Sequence, residues 1–102
     1  MTLNEFNALL DKVLEQCRDI MNSKGVAYSG TDDKFGNFKR IAKKLNLRTE
    51  QIWSVYFNKH IDAIDAYIRG EYSDSEPIEG RIMDAINYLL LLYGILAEEK
   101  RG

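Results

Sequence analysis

Asp84 and Asn87 stand three positions apart, just ahead of the apolar run Tyr88 to Leu92. At helical spacing they share a face, so a carboxylate and a primary amide point together where the segment turns from polar to apolar. A second pair, Lys59 and His60, interrupts an otherwise aromatic helical pattern, and a third, Asp33 and Asn37, lies one helical turn apart further upstream. A cation beside an imidazole suits a phosphate or pyrophosphate, while amides suit the edges of a base or the hydroxyls of a ribose. Tyr28, Trp53, Tyr56 and Tyr88 are interleaved with these residues and offer faces on which a base can stack. Singly, each polar residue has a plainer reading: Asp32 and Asp33 as helix caps, Asn37 as a surface residue, His60 as a hydrogen-bonded core histidine. Together they describe one polar pocket for a nucleotide-like ligand, provided that their three segments pack against one another.

Other chemistries lack their residues. No Gly-rich phosphate loop, nucleophile elbow, zinc-ligand spacing or Ser-His-Asp signature occurs. The single Cys17 forms neither an internal disulfide nor a thiolate metal cage, and the N-terminus has no basic-then-apolar leader, so a reducing cytoplasm is the expected compartment. A net charge of −2 argues against a general DNA- or RNA-binding surface, although Lys34, Lys39, Arg40, Lys43, Lys44 and Arg48 form a local basic cluster. Asp11, Glu15 and Asp19 repeat at four-residue intervals and imitate a metal-binding carboxylate row; a solvated helix face explains them more simply.

Four helices must position these groups. Thr2 with Glu5 forms a capping box that opens a helix through Leu3, Phe6, Leu10, Leu14, Cys17 and Met21, expected to end near Asn22. Asn22 to Thr31 reads as a loop. Thr31 or Asp32 is expected to cap the second helix, with Phe35, Phe38, Ile41, Ala42 and Leu45 inward, Asn46 at its end, and Gly36 marking a close approach to its backbone. Thr49 opens the third helix, which Gly70 closes in a left-handed conformation. The fourth spans Pro77 to Leu96, so apolar that it must be central, with Ile78, Ile82, Ile86, Leu89, Tyr93 and Leu96 expected inward and the EEKRG tail expected to fray. Its polar first half leaves an apolar run short of the roughly 18 residues that a membrane span needs. The prediction is one all-α domain, residues 1–102, a compact four-helix assembly whose Tyr- and Leu-rich faces suit a homo-oligomer.

In the order Y28SGTDDKFGNFKRIA, N58KHIDAI and D84AINYL, the chain resembles the nucleotide-modification-associated domain 1 family of small phage and bacterial proteins. The resemblance spans roughly Gly25 to Leu92 and rests on Asp33, Asn37, Phe38, Lys59, His60, Asp84, Asn87 and Tyr88. It implies a nucleotide-derived ligand and, for a phage-encoded protein, the host cytoplasm. The helical pattern is more distantly similar to MazG-like pyrophosphohydrolases, whose Glu-Glu-x-x-Glu row and further Glu-x-x-Asp pair hold magnesium. This chain has neither: position 81 is Arg81, and Glu79 lies five residues from Asp84. The leading expectation is therefore binding without cleavage and without a cofactor. By analogy with small phage sponges, the ligand would be a defence signal such as a cyclic nucleotide or ADP-ribose derivative. The alternatives are a magnesium-dependent pyrophosphohydrolase, or an accessory to nucleotide modification, and a helical interaction module.

Overall fold

Thr2 begins the fold as its capping motif requires: its hydroxyl accepts the Glu5 N–H at 3.1 Å and starts a helix that continues to Ser29. The structure, a computed structural model, describes residues 1–29 and 32–101, with side chains throughout except at 25–29. Its helices are α1 (Leu3–Ser29), α2 (Gly36–Leu45), α3 (Thr49–Ile68) and α4 (Ile78–Arg101), and no strand occurs among the described residues.

α1 overruns its expected end at Asn22. Weak helix formers such as Asn22, Ser23 and Gly25 each cost about 1 kcal/mol or less, and local bonds hold this turn. Ser23 donates its hydroxyl to the Ile20 carbonyl at 3.3 Å, and the Lys34 ammonium donates to the Met21 carbonyl at 3.1 Å. α2, conversely, starts later than expected. Asp33 Oδ1 accepts the Phe35 N–H at 3.0 Å and the Asp33 carbonyl accepts the Gly36 N–H at 3.1 Å, a tight Asx turn that delays the helix to Gly36. Thr31, the other expected cap, lies outside the described residues. Gly36 is thus a first-turn residue, and a Cβ there would meet Asp33 Cβ at an ordinary 3.6 Å. The close approach is at Gly94 instead, where a Cβ would come within 2.7 Å of Phe35 Cζ. The Phe35 ring therefore lies against the bare backbone of α4.

Asn46 ends α2 in the left-handed region at φ 56°, and Gly70 follows α3 at φ 77°. α3 opens with Gln51 Oε1 accepting the Arg48 N–H at 2.8 Å. Before α4, Asp74 Oδ1 accepts the Glu76 N–H at 3.1 Å, and Pro77 stands immediately ahead of the helix. The tail expected to fray stays helical to Arg101, and Glu98 within it forms an ion pair with Lys39.

α4 is central, packed on α1 and on α3, while α2 lies against α3 and α1. The core joins Phe35, Phe38 and Ala42 to Ile52, Trp53 and Ile95. Trp53 stacks on Phe57, centroids 4.7 Å apart, and donates its indole N–H to the Tyr88 carbonyl at 2.6 Å. The phase of α4 differs from expectation. Asp84, Ala85, Asn87 and Ile95 face inward, whereas Ile82, Leu89, Tyr93 and Leu96 are 44%, 52%, 77% and 42% exposed. A segment apolar nearly all round offers two equivalent stripes, and the polar pair and the Trp53 bond select the one containing Asp84, Tyr88, Leu91 and Ile95. By length and composition alone, α4 does qualify to cross a membrane.

Truncating Ile95, 3% exposed in the core, to alanine should cost about 2–4 kcal/mol in urea unfolding. Val55→Ala, at a site 68% exposed on α3, should stay within about 0.5 kcal/mol. Equal costs would contradict this core.

Candidate functional site

Where α1, α3 and α4 diverge, the loop before α2 and its first turn close one side of a cleft of about 480 Å³. α1 supplies Ile20, Met21 and Lys24; Lys34, Asn37 and Phe38 come next in the chain; α3 supplies Tyr56, Lys59 and His60. Asp84, Asn87, Tyr88 and Leu91 line it from α4, with Glu76 and Arg81 at the polar end. The structure thus brings together Asn37, Lys59, His60, Asp84, Asn87 and Tyr88 from three segments distant in sequence.

His60 is buried at the back of the cleft, its ring centroid 4.9 Å from that of Tyr88. Its Nδ1 lies 3.9 Å from Asp84 Oδ2, beyond hydrogen-bond range, and has no hydrogen-bond partner among the described residues. Burial pushes the imidazole below its ordinary value of 6.5; Asp84 pulls the other way, and Arg81 and Lys59 add to the lowering. His60 is therefore neutral at pH 7. Asp84 has Lys24 as its cation, Nζ to Oδ1 3.6 Å. Asn87 donates its amide to the Cys17 carbonyl at 2.9 Å, which anchors α4 to α1, while its buried Oδ1 has no hydrogen-bond partner among the described residues.

Arg81 is held from outside the cleft. It pairs with Asp74, and its Nε lies 3.4 Å from Glu76 Oε2. The hydrogen bond from Arg81, together with the Glu76 backbone N–H, which is the larger cause, holds the Asp74 carboxyl below the usual range. Tyr72 donates its hydroxyl to the Glu76 carbonyl, so the segment 72–81 is braced as a unit.

Several expected residues lie elsewhere. Asp33 is outside the cleft: its Oδ2 accepts a hydrogen bond from Lys39 at 2.9 Å, which lowers its pKa, and Lys39 also pairs with Glu98. That triad fastens the start of α2 to the end of α4. Trp53 is a core residue and does not line the cleft, and the Tyr28 side chain lies outside the described residues. Of the basic cluster only Lys34 reaches the cleft; Arg40 donates to Asn37 Oδ1 at 3.0 Å and Lys43 and Lys44 are exposed. Among the described residues no three His, Cys, Asp or Glu side chains are grouped to hold a metal ion, the Asp11, Glu15 and Asp19 row included.

Lys24, Lys34, Glu76 and Arg81 line the cleft although sequence spacing alone did not single them out. Lys24 follows Cys17 and Met21 at spacings of seven and three, so extending α1 would have found it, and Arg81 precedes Asp84 by three. Comparison with models of known families, with curated proteins and with solved structures finds no match to this chain. Its function must therefore be argued from the geometry of the cleft.

His60 is the only histidine, so its imidazole resonances are unambiguous. They should titrate below about 6.5, and lower still in Asp84→Asn, which removes the opposing carboxylate. Because the folded value is depressed, its contribution to stability should be complete above about pH 6.5 and lost as the pH falls toward the folded value. His60→Gln should remove that component of the Tm-against-pH curve; a titration at or above 6.5 would contradict the burial argument.

Proposed function

We propose that this protein binds a small nucleotide-derived anion in the cleft and holds it uncleaved. The observation that carries this reading is the lining itself: four cations, Lys24, Lys34, Lys59 and Arg81, against two carboxylates, Glu76 and Asp84, in a chain whose net charge is −2. Arg81 is committed to Asp74 and Glu76, and Lys24 to Asp84, so Lys34 and Lys59 are the groups available to phosphate. Lys59 is exposed at the mouth, and Lys34 gives one of its three N–H donors to Met21.

Phe38, Tyr56 and Tyr88 give the cleft an aromatic wall, Phe38 lying 5.9 Å from Tyr56 and 6.3 Å from Tyr88 between centroids. A base stacked on aromatic rings gains about 1–3 kcal/mol. The buried Asn87 Oδ1 is suited to accept from an amino or hydroxyl group, and neutral His60 offers a ring nitrogen without a competing charge. The volume falls within the roughly 300–1,000 Å³ typical of small-molecule sites.

Retention rather than hydrolysis is supported by how the carboxylates are used. Asp84 faces Lys24 and Glu76 faces Arg81, so each is already balanced by a cation. Magnesium sites of nucleotide-cleaving enzymes need several hard oxygen ligands in near-octahedral array. The resemblance to nucleotide-modification-associated proteins favours a nucleotide-derived ligand, and the analogy with small phage sponges makes it a cyclic nucleotide or ADP-ribose-type defence signal, sequestered in the host cytoplasm by a phage-encoded anti-defence protein.

Incubation with a panel of nucleoside phosphates, cyclic nucleotides and ADP-ribose derivatives, with and without magnesium, followed by desalting and heat release, should return one ligand intact. Lys59→Ala should weaken its affinity about tenfold, near 1.4 kcal/mol, at unchanged Tm. A magnesium-dependent cleaved product that disappears in Asp84→Asn would establish the pyrophosphohydrolase instead, and retention of nothing would leave an interaction module.

A further inference from the structure

α1 carries one continuous apolar stripe, Leu3, Phe6, Leu10, Leu14, Cys17 and Met21, of which only the C-terminal part is covered. Cys17 is 2% exposed against α4, whereas Leu3, Phe6, Leu10 and Leu14 are 74%, 51%, 41% and 47% exposed. On α4 the outer stripe of Ile82, Leu89, Tyr93 and Leu96 is likewise open. Leu90 links the two stripes: it is 54% exposed, follows Leu89 in the chain, and with Leu14 lines one shallow groove between α1 and α4.

We infer that this joint α1–α4 face is the interface of a homodimer, each copy covering the stripes of the other about a two-fold axis. The areas support this occupant. The chain exposes 7539 Å² where a folded monomer of its 11.8 kDa exposes about 5,900 Å². That excess of about 1,600 Å² falls within the roughly 1,000–2,500 Å² that each copy buries in an obligate homodimer. The first turns of α1 extend from the packed helices, and the radius of gyration is 15.5 Å against about 13 Å for a closed domain of this length. Pairing α1 and α4 with their symmetry mates makes a four-helix layer in which each stripe is used twice. A membrane surface fits less well: interfacial helices are rich in Lys and Arg on the polar face, whereas the acidic Glu5, Asp11, Glu15 and Asp19 outnumber Lys12 and Arg18 there. The inference stands on exposed surface and does not depend on the ligand.

Sedimentation velocity up to about 100 µM should give twice the 11.8 kDa chain mass. Phe6→Glu and Leu89→Glu should each raise the half-dissociation concentration at least tenfold while keeping helical content. A single-chain mass throughout, or monomers that float with vesicles containing anionic lipid, would overturn it. Should the variants fail to fold, amide exchange of the unaltered protein decides: residues 7–14, whose N–H groups are bonded within α1, should exchange as slowly as the core of α4, and exchange as fast as a frayed helix end would overturn the interface.

Discussion

Burying Asp84 on the inner face of α4 constrains everything packed around it. An ionised carboxylate removed from water is costly unless opposite charge or hydrogen-bond donors surround it. Here the helix must turn so that Lys24 of α1 comes within 3.6 Å of a side chain that is only 12% exposed. That rotation sends Tyr88, Leu91 and Ile95 inward behind Asp84 and leaves Leu89, Tyr93 and Leu96 outside. The cleft and the uncovered apolar stripe are two consequences of one choice of helix phase.

The electrostatic consequence is a division of labour among the cations. Arg81 is spent on Asp74 and Glu76, bracing the chain ahead of α4. Lys39 is spent on Asp33 and Glu98, clamping α2 to α4. Lys24 pairs with Asp84, so Lys34 and Lys59 remain beside the aromatic rings, with the His60 imidazole behind them. A chain with a net charge of −2 thus keeps a cleft whose lining carries more cations than carboxylates.

Much of this was legible in the residues. The four helices and the glycine and asparagine that end α3 and α2 follow from local rules of capping and spacing; the pairing of Lys59 with His60 and the shared face of Asp84 and Asn87 were readable, although their meeting in one cleft needed the packing. What escaped those rules was set by tertiary contact. Gly25 reads as a loop but is helical beside the Lys34 to Met21 bond, Asp33 reads as a site residue but is bound by Lys39, and Trp53 reads as a stacking platform but is fixed in the core. The α4 phase was ambiguous for a different reason: with leucine on every side, periodicity cannot choose a face, and only the placement of the polar pair does.

Where a nucleotide makes contact is the most direct test of a binding cleft built around Asp84. Titrating the protein with the retained nucleotide and following side-chain resonances by NMR reads this without mutation. Saturable shifts are expected of the His60 imidazole and of the Phe38, Tyr56 and Tyr88 rings, with the outer lysines of α2, Lys43 and Lys44, unmoved. Saturable shifts confined to Lys43 and Lys44, with His60 unchanged, would contradict it.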